Sequence, residues 1–208
     1  MRGDSILVNL MAASSLRTRG SGELHPVHIR LFDPQCQQDR NTIMQLIREL
    51  QSHELVLFDR MKPPDQIEDE TYLKHLCDEC EAKDGHILVA ETLVSGEPKL
   101  PENPEPFEAA TETTIVGYAV VLTRVSNSDR IEEVLYTYGE LLELAVNSEY
   151  RGLGIGKLLL SECEQRVRNA GVRYFRTSVL ASNPHAHKLY ERFGFSDHLV
   201  EMEKKLND

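Results

Sequence analysis

Residues 151–157 read RGLGIGK, and the two segments flanking them decide what the run is. Residues 136–146 (YTYGELLELAV) have the composition of a strand. Residues 158–171 (LLLSECEQRVRNAG) follow, and with Ile155, Leu158, Leu159, Cys163, Val167 and Ala170 on one face they make an amphipathic helix. Alternating glycines between a strand and a helix expose successive backbone N–H groups at the helix N-terminus. Those donors have no intrahelical acceptor and the dipole there is positive, so the turn favours a phosphate or diphosphate.

Two familiar nucleotide loops fail at identifiable residues. The dinucleotide fingerprint G-x-G-x-x-G needs glycine where Lys157 stands, and an acid about twenty residues on, where the chain has Arg173 and Arg176. The loop G-x-x-x-x-G-K-[ST] needs glycine at Arg151 and a hydroxyl at Leu158.

What remains is R-x-x-G-x-G, followed at residues 183–195 by NPHAHKLYERFGF. The first resembles the motif with which the GCN5-related N-acetyltransferase (GNAT) superfamily binds the pyrophosphate of acetyl coenzyme A. The second resembles that family's N-x-x-A-x-x-x-Y-x-x-x-G-F. Two motifs in order and at the right spacing are far more specific than one glycine loop. The resemblance covers roughly residues 27–206, with its specific residues between 140 and 195.

Several expectations come with it. It implies an acetyl-CoA-dependent N-acetyltransferase, with a primary amine attacking directly in a ternary complex. Backbone groups of Arg151, Gly152, Leu153, Gly154, Ile155, Gly156 and Lys157 would hold the diphosphate, with added charge from Arg151 and Lys157. Leu144, Ala145 and Val146 match the segment that pairs with the pantetheine arm, beside a bulge that splays this strand from the next. Val146 N–H would polarise the thioester carbonyl. Asn183, Ala186 and Tyr190 belong to the second motif, and Tyr190 is implied as the general acid toward the departing thiolate. Asn183 and Gly194 are also explained as helix caps, with Pro184 at N1. Glu143 is the first candidate for the base and Glu140 the second. Three residues apart, they would face opposite ways on a strand without a bulge.

Composition bounds the rest. A chain of 208 residues, 40% hydrophobic and 27% charged, suits one globular domain. A net charge of -11 argues against nucleic acid as a partner and fits a cationic acceptor: a polyamine, an aminoglycoside or a peptide amine. Acceptor contacts are expected among His53, Glu54, Asp59, Asp65, Glu68, Asp69, Glu70, Asp78 and Glu79. No apolar run has the length of a membrane span. Cys77 and Cys80 form a C-x-x-C inside a helical pattern without a partner motif, and read as two reduced thiols. His185 and His187, two apart on a helix, cannot chelate one ion, and no metal is expected. Cys163 faces the core, which disfavours an acetyl-cysteine relay.

Residues 1–25 read as a flexible tail ahead of a single domain at 26–206. An organelle presequence is the alternative to a cytoplasmic chain. Strands are expected at 27–33, 86–92, 114–123, 136–146, 173–180 and 196–206, and helices at 37–54, 65–83, 158–171 and 183–193. Residues 94–113, rich in proline and glutamate, form an exposed loop. The expected architecture is α/β (α+β), a mixed sheet of six to seven strands with about four flanking helices. A homodimer is compatible with the family but has no specific signal. A non-catalytic acyl-CoA sensor on the same fold is the rival function, and a longer acyl donor a second variation.

Overall fold

The computed structural model describes residues 15–17, 24–93, 113–127 and 135–206. The proline-rich segment 94–112 and most of the expected tail lie outside them. Thr113, placed in that loop by the sequence, opens a strand instead.

In chain order the elements are β1 (Ser15–Arg17), β2 (Leu24–Leu31), α1 (Gln37–Leu57), α2 (Asp69–Ala82), β3 (His86–Leu93), β4 (Thr113–Ser126), β5 (Thr137–Val146), α3 (Ile155–Asn169), β6 (Phe175–Thr177) and α4 (Pro184–Phe193). The strands lie side by side in sequence order. β2 to β6 form the mixed sheet, and β1 pairs antiparallel with the start of β2. Among the described strands only β5 and β6 run parallel. β4 is buried along nearly its whole length because helices cover both faces, which is why its sequence is a continuous apolar run.

Each face has its own core. α1 and α2 pack Ile43, Leu46, Ile47, Leu73 and Leu76 against Ile87, Val89, Tyr118, Val120 and Leu122. On the other face α3 packs Ile155, Leu159, Leu160, Cys163 and Val167 against Leu88, Ala119, Val121 and Leu141. Leu160 replaces Leu158 in the expected buried stripe. Asp39, at the start of α1, is held by the Arg30 guanidinium, which also binds Glu91 and so ties β2 and β3 to the helix. Cys36, Cys77, Cys80 and Cys163 are all free thiols.

Three expected elements differ. The helix expected over 65–83 is a 3-10 turn, Pro64–Gln66, then α2, because the backbone is extended at Glu68 (φ -80, ψ 102). The strand expected over 173–180 shortens to three residues, since β5 offers it partners only from Gly139 to Leu141. Residues 196–206 contain no strand. Their alternation has no template, because β6 is too short an edge to pair with them.

Candidate active site

The register between β4 and β5 shifts at two places, between Val120 and Val121 and between Leu122 and Val125, and the first bears on the site. Val120 pairs with Glu143 and Val121 with Leu141, so Leu142 is an extra residue. This bulge resets the alternation. Glu140 and Glu143 therefore project from the same face, toward α1 and α2, where a regular strand would have separated them. Their surroundings agree. Tyr72 of α2 donates to Glu143 Oε1, and the buried Tyr118 donates to Glu143 Oε2 at 2.7 Å. Glu140 lies among Lys83, Glu79 and Arg176.

Beyond the bulge β5 loses a neighbour. Its pairing with β6 stops at Leu141↔Thr177, while its pairing with β4 continues to Gly117↔Val146. Asn147 N–H donates to Val116 O at 2.9 Å. By alternation, the N–H and C=O of Val146 and Leu144 then point away from β4, into the gap. Arg151 confirms the direction, since its Nε donates to Val146 O across that open edge at 2.9 Å. Ala145 turns its backbone to β4 instead, and a Cβ on Gly117 would meet Ala145 O at 2.8 Å.

The glycine loop lies at the mouth of the gap. Gly152 (φ 78) and Gly154 (φ 87) occupy the left-handed region that side chains avoid. Gly154 is the N-cap of α3 and offers no side-chain acceptor, so the amides of Ile155, Gly156 and Lys157 open the helix unpaired. Ile155 is buried beneath the loop while Arg151, Gly152, Gly154 and Lys157 are exposed. A Cβ on Gly156 would only touch Leu189 and Val146, both at 3.8 Å. That places the helix start between β5 and α4, with the space above it open. The fit to a diphosphate is geometric: orphan donors converge at a positive helix end, with no acid in the first turn.

Across the gap, α4 presents Tyr190. Asn183 Oδ1 caps the helix by accepting from Ala186 N–H at 3.1 Å, and Gly194 (φ 100) ends it. The Ala186 amide and the Asn183 side chain are thus engaged with each other. Tyr190 is half-buried and packs on Phe195, with ring centroids 5.7 Å apart. Burial raises its phenol, and a hydrogen bond with the Thr177 side chain works the other way. It is fully protonated at neutral pH, as a proton donor must be.

The electrostatics single out the α1–α2 face. Glu143 is raised from the ordinary carboxylate range by burial, which the Tyr72 and Tyr118 hydroxyls and His75 partly offset. Glu54, near the end of α1, is raised by burial and then by the Glu143 charge. Burial also raises Glu140, against Lys83. Cys163 is pushed up to about 12, chiefly by burial, leaving no thiolate for an acyl relay at neutral pH.

Much of the expected acceptor acidity is already neutralised. Asp69 pairs with Arg48, Glu70 with Arg40, Asp78 with Lys74 and Glu79 with Lys83. Tyr72, Tyr118 and His75 are site residues that sequence reasoning missed. Tyr118 had a signal: a lone tyrosine inside the apolar run IVGYAVVL needs a buried partner for its hydroxyl.

Two clefts stand out. One of about 390 Å³ lies between α1 and the start of the loop, lined by Arg48, Glu49, His53, Ser148 and Arg151. The larger, about 830 Å³, lies where β5 and β6 are still paired, lined by Tyr136, Arg173, Phe175 and Phe193 among others. It is lined by none of the expected site residues, although Phe195 of its lining packs on Tyr190. Among the described residues no helix is long and apolar enough to cross a membrane, and no cluster of three His, Cys, Asp or Glu side chains could hold a metal ion.

Comparison with known proteins points the same way. The acetyltransferase (GNAT) family model matches residues 58–195. The uncharacterized N-acetyltransferase YycN of Bacillus subtilis is 34% identical over 95 residues, which are 46% of this chain and 56% of YycN. The solved structure of YycN superposes with a TM-score of 0.54 at 22% identity, covering 87% of this chain and 100% of that one. A tetramutant of the BH1408 protein from Bacillus halodurans gives 0.61 at 15% identity, over 86% and 99%. The aminoglycoside N-acetyltransferase AAC(6')-Iy, solved in complex with CoA, gives 0.54 at 15% identity, over 88% and 97%. At these identities the structural likeness is one of fold.

Proposed function

The chain belongs to the GNAT family of N-acetyltransferases, and on that premise we propose that it transfers an acetyl group from acetyl-CoA to a primary, cationic amine by direct attack. The observation that carries this reading is the parting of β5 from β6 beside the unpaired amides of α3. A fold neighbour solved with CoA supports the coenzyme half.

On this reading the amides from Gly152 to Lys157 grip the diphosphate, with Arg151 and Lys157 at the rim. Leu144 and Val146 pair through their backbone with the pantetheine arm, as an added strand would. The Val146 N–H, fixed by the Asn147–Val116 hydrogen bond, donates to the thioester oxygen as charge builds there. Tyr190 gives its proton to the departing sulfur. A thiol has an ordinary pKa near 8.5 and a phenol near 10, and burial of Tyr190 widens that difference.

The amine arrives on the face where Glu143 and Glu140 project. An alkylammonium of pKa about 10 is about 0.1% neutral at pH 7, a deficit of roughly 4 kcal/mol that a base must offset. Glu143 and Glu140 put two carboxylates on that face, one at the bulge and one beside Lys83. The surplus acidity of the chain suits a polyamine, an aminoglycoside or a lysine-bearing peptide.

Isothermal titration with acetyl-CoA, followed by a thiol-release assay over a panel of such amines, tests the reading. Single-site binding and amine-dependent thiol release are expected. Binding without release for any amine would favour an acyl-CoA sensor, and no binding at all would end the proposal.

A further inference from the structure

Glu143 is the most enclosed acid of the site, and both of its oxygens are taken. Tyr72 donates to one and Tyr118 to the other. To accept a proton from an incoming ammonium, it would have to leave a buried hydroxyl unpaired. A carboxylate held in this way acts as a fixed charge.

Glu54 is differently placed. Two side-chain hydrogen bonds tie α1 across the parting strands. Asn147 Nδ2, at the end of β5, donates to Glu49 Oε1 at 3.5 Å, and Ser182 Oγ, just before α4, donates to Leu57 O at 3.0 Å. Glu54 lies between these ties. It follows Leu50 by four residues and Gln51 by three, and both of those face the sheet. It is half-buried, and no side chain among the described residues donates to it. Its charge acts on groups from four elements: Glu143 of β5, Tyr72 of α2, Tyr118 of β4 and Tyr190 of α4. His75 of α2 offsets part of the rise at Glu143. One turn back on the same stripe, Gln51 is only 6% exposed, and its Oε1 has no donor.

We propose that Glu54, rather than Glu143, receives the acceptor's primary ammonium and takes its proton, with Glu143 a positioning residue clamped by Tyr72 and Tyr118. The inference rests on the acetyl-transfer reading above and names the group that prepares the nucleophile. The ammonium gives one proton to the Glu54 carboxylate, and the freed lone pair forms the N–C bond to the acyl carbon. The C–S bond breaks, and the sulfur takes the Tyr190 proton. The new amide nitrogen sheds its second proton, which restores Tyr190. The products are an amide and a thiol, with one proton released to the medium from Glu54.

The test measures kcat against pH with saturating acetyl-CoA, using spermidine and a lysine-bearing peptide as acceptors. The wild type should lose rate in acid through one carboxyl ionisation. Glu54→Gln should lower kcat about 10²-fold or more and abolish that limb. Glu143→Gln should keep the limb and move it to lower pH, because a like charge beside Glu54 is gone. Acetyl-CoA affinity should stay within about twofold in both variants. Carboxyl ¹³C NMR of the free protein gives a readout apart from turnover, in which the Glu54 signal should titrate above the ordinary range and shift down in Glu143→Gln. Should Glu54→Gln lose acetyl-CoA binding, Glu54→Asp decides instead, since it must retain the limb. The proposal is overturned if the limb survives Glu54→Gln and vanishes in Glu143→Gln, or if Glu54→Gln costs less than about threefold. Thiol release with no amine of the panel, aminoglycosides included, in the wild type would take the transferase reading down, and this inference with it.

Discussion

The two faces of the sheet are filled with different materials. Under α3 the buried set is hydrocarbon and one thiol: Leu88, Ala90, Val116, Ala119, Val121, Leu141, Ile155, Leu159, Leu160, Cys163 and Val167. Under α1 and α2 the apolar core is interrupted by a carboxylate, two tyrosine hydroxyls and a glutamine with an unpaired oxygen. A buried polar group that is imperfectly paired weakens a fold. Both faces bury an extensive apolar core, but the polar groups next to the reaction site, Glu143 with Tyr72 and Tyr118, are set into the α1–α2 face. The gap between β5 and β6 is where the two meet.

The largest effect should come at that junction. Tyr190→Phe keeps the ring packing on Phe195 and removes only the hydroxyl. It should cost about 10²–10⁴-fold in kcat with acetyl-CoA affinity unchanged. Stopped thiol release with intact binding by titration checks this, and an unaffected kcat would remove Tyr190 from the chemistry. On the α3 face, Leu159→Ala should do the reverse. Leu159 is wholly buried, so truncation should cost about 2–5 kcal/mol in urea denaturation. The pH profile of the surviving folded enzyme should not move. A shifted profile would break the division between the faces.

The smallest effect is a slope. Glu143 keeps its proton to higher pH in the folded chain than the ordinary value of 4.5. The folded state thus binds more protons than the unfolded one over that interval, and stability is lost as pH rises through the folded value. Glu143→Gln removes this dependence, so the variant should gain on the wild type as pH rises above 4.5. Denaturation at pH values from about 4 to 8 measures it, and a difference that is flat with pH would show that burial does not penalise the Glu143 charge.

These contrasts also explain what could be read from the chain. The strand, glycine turn and helix around 151–157 were legible because their signals are local: residue periodicity, positive-φ glycines and orphan amides. Asn183, Pro184 and Gly194 were legible for the same reason. The common face of Glu140 and Glu143 could be raised only through the bulge that the family resemblance implies, since a bulge is a property of the pairing with β4 and leaves no mark in YTYGELLELAV. The Glu143 clamp draws on Tyr72 and Tyr118, residues 71 and 25 positions away. The strand expected at 196–206 failed in the opposite sense: its alternation was real, but a strand needs an edge, and β6 ends at Thr177.

Leu142 acts on β5 as a half-step does on a two-phase clock. Every side chain on the N-terminal side of it keeps the beat that seats Tyr138 among the α1–α2 residues and turns Gly139 onto Val167. Every one after it is one tick late. Excising that single leucine would resynchronise the strand, swing Glu140 toward the hydrocarbon of α3 and press Gly139 and Leu141 against α2. One spare residue is what allows a strand anchored in grease at one end to deliver carboxylates at the other.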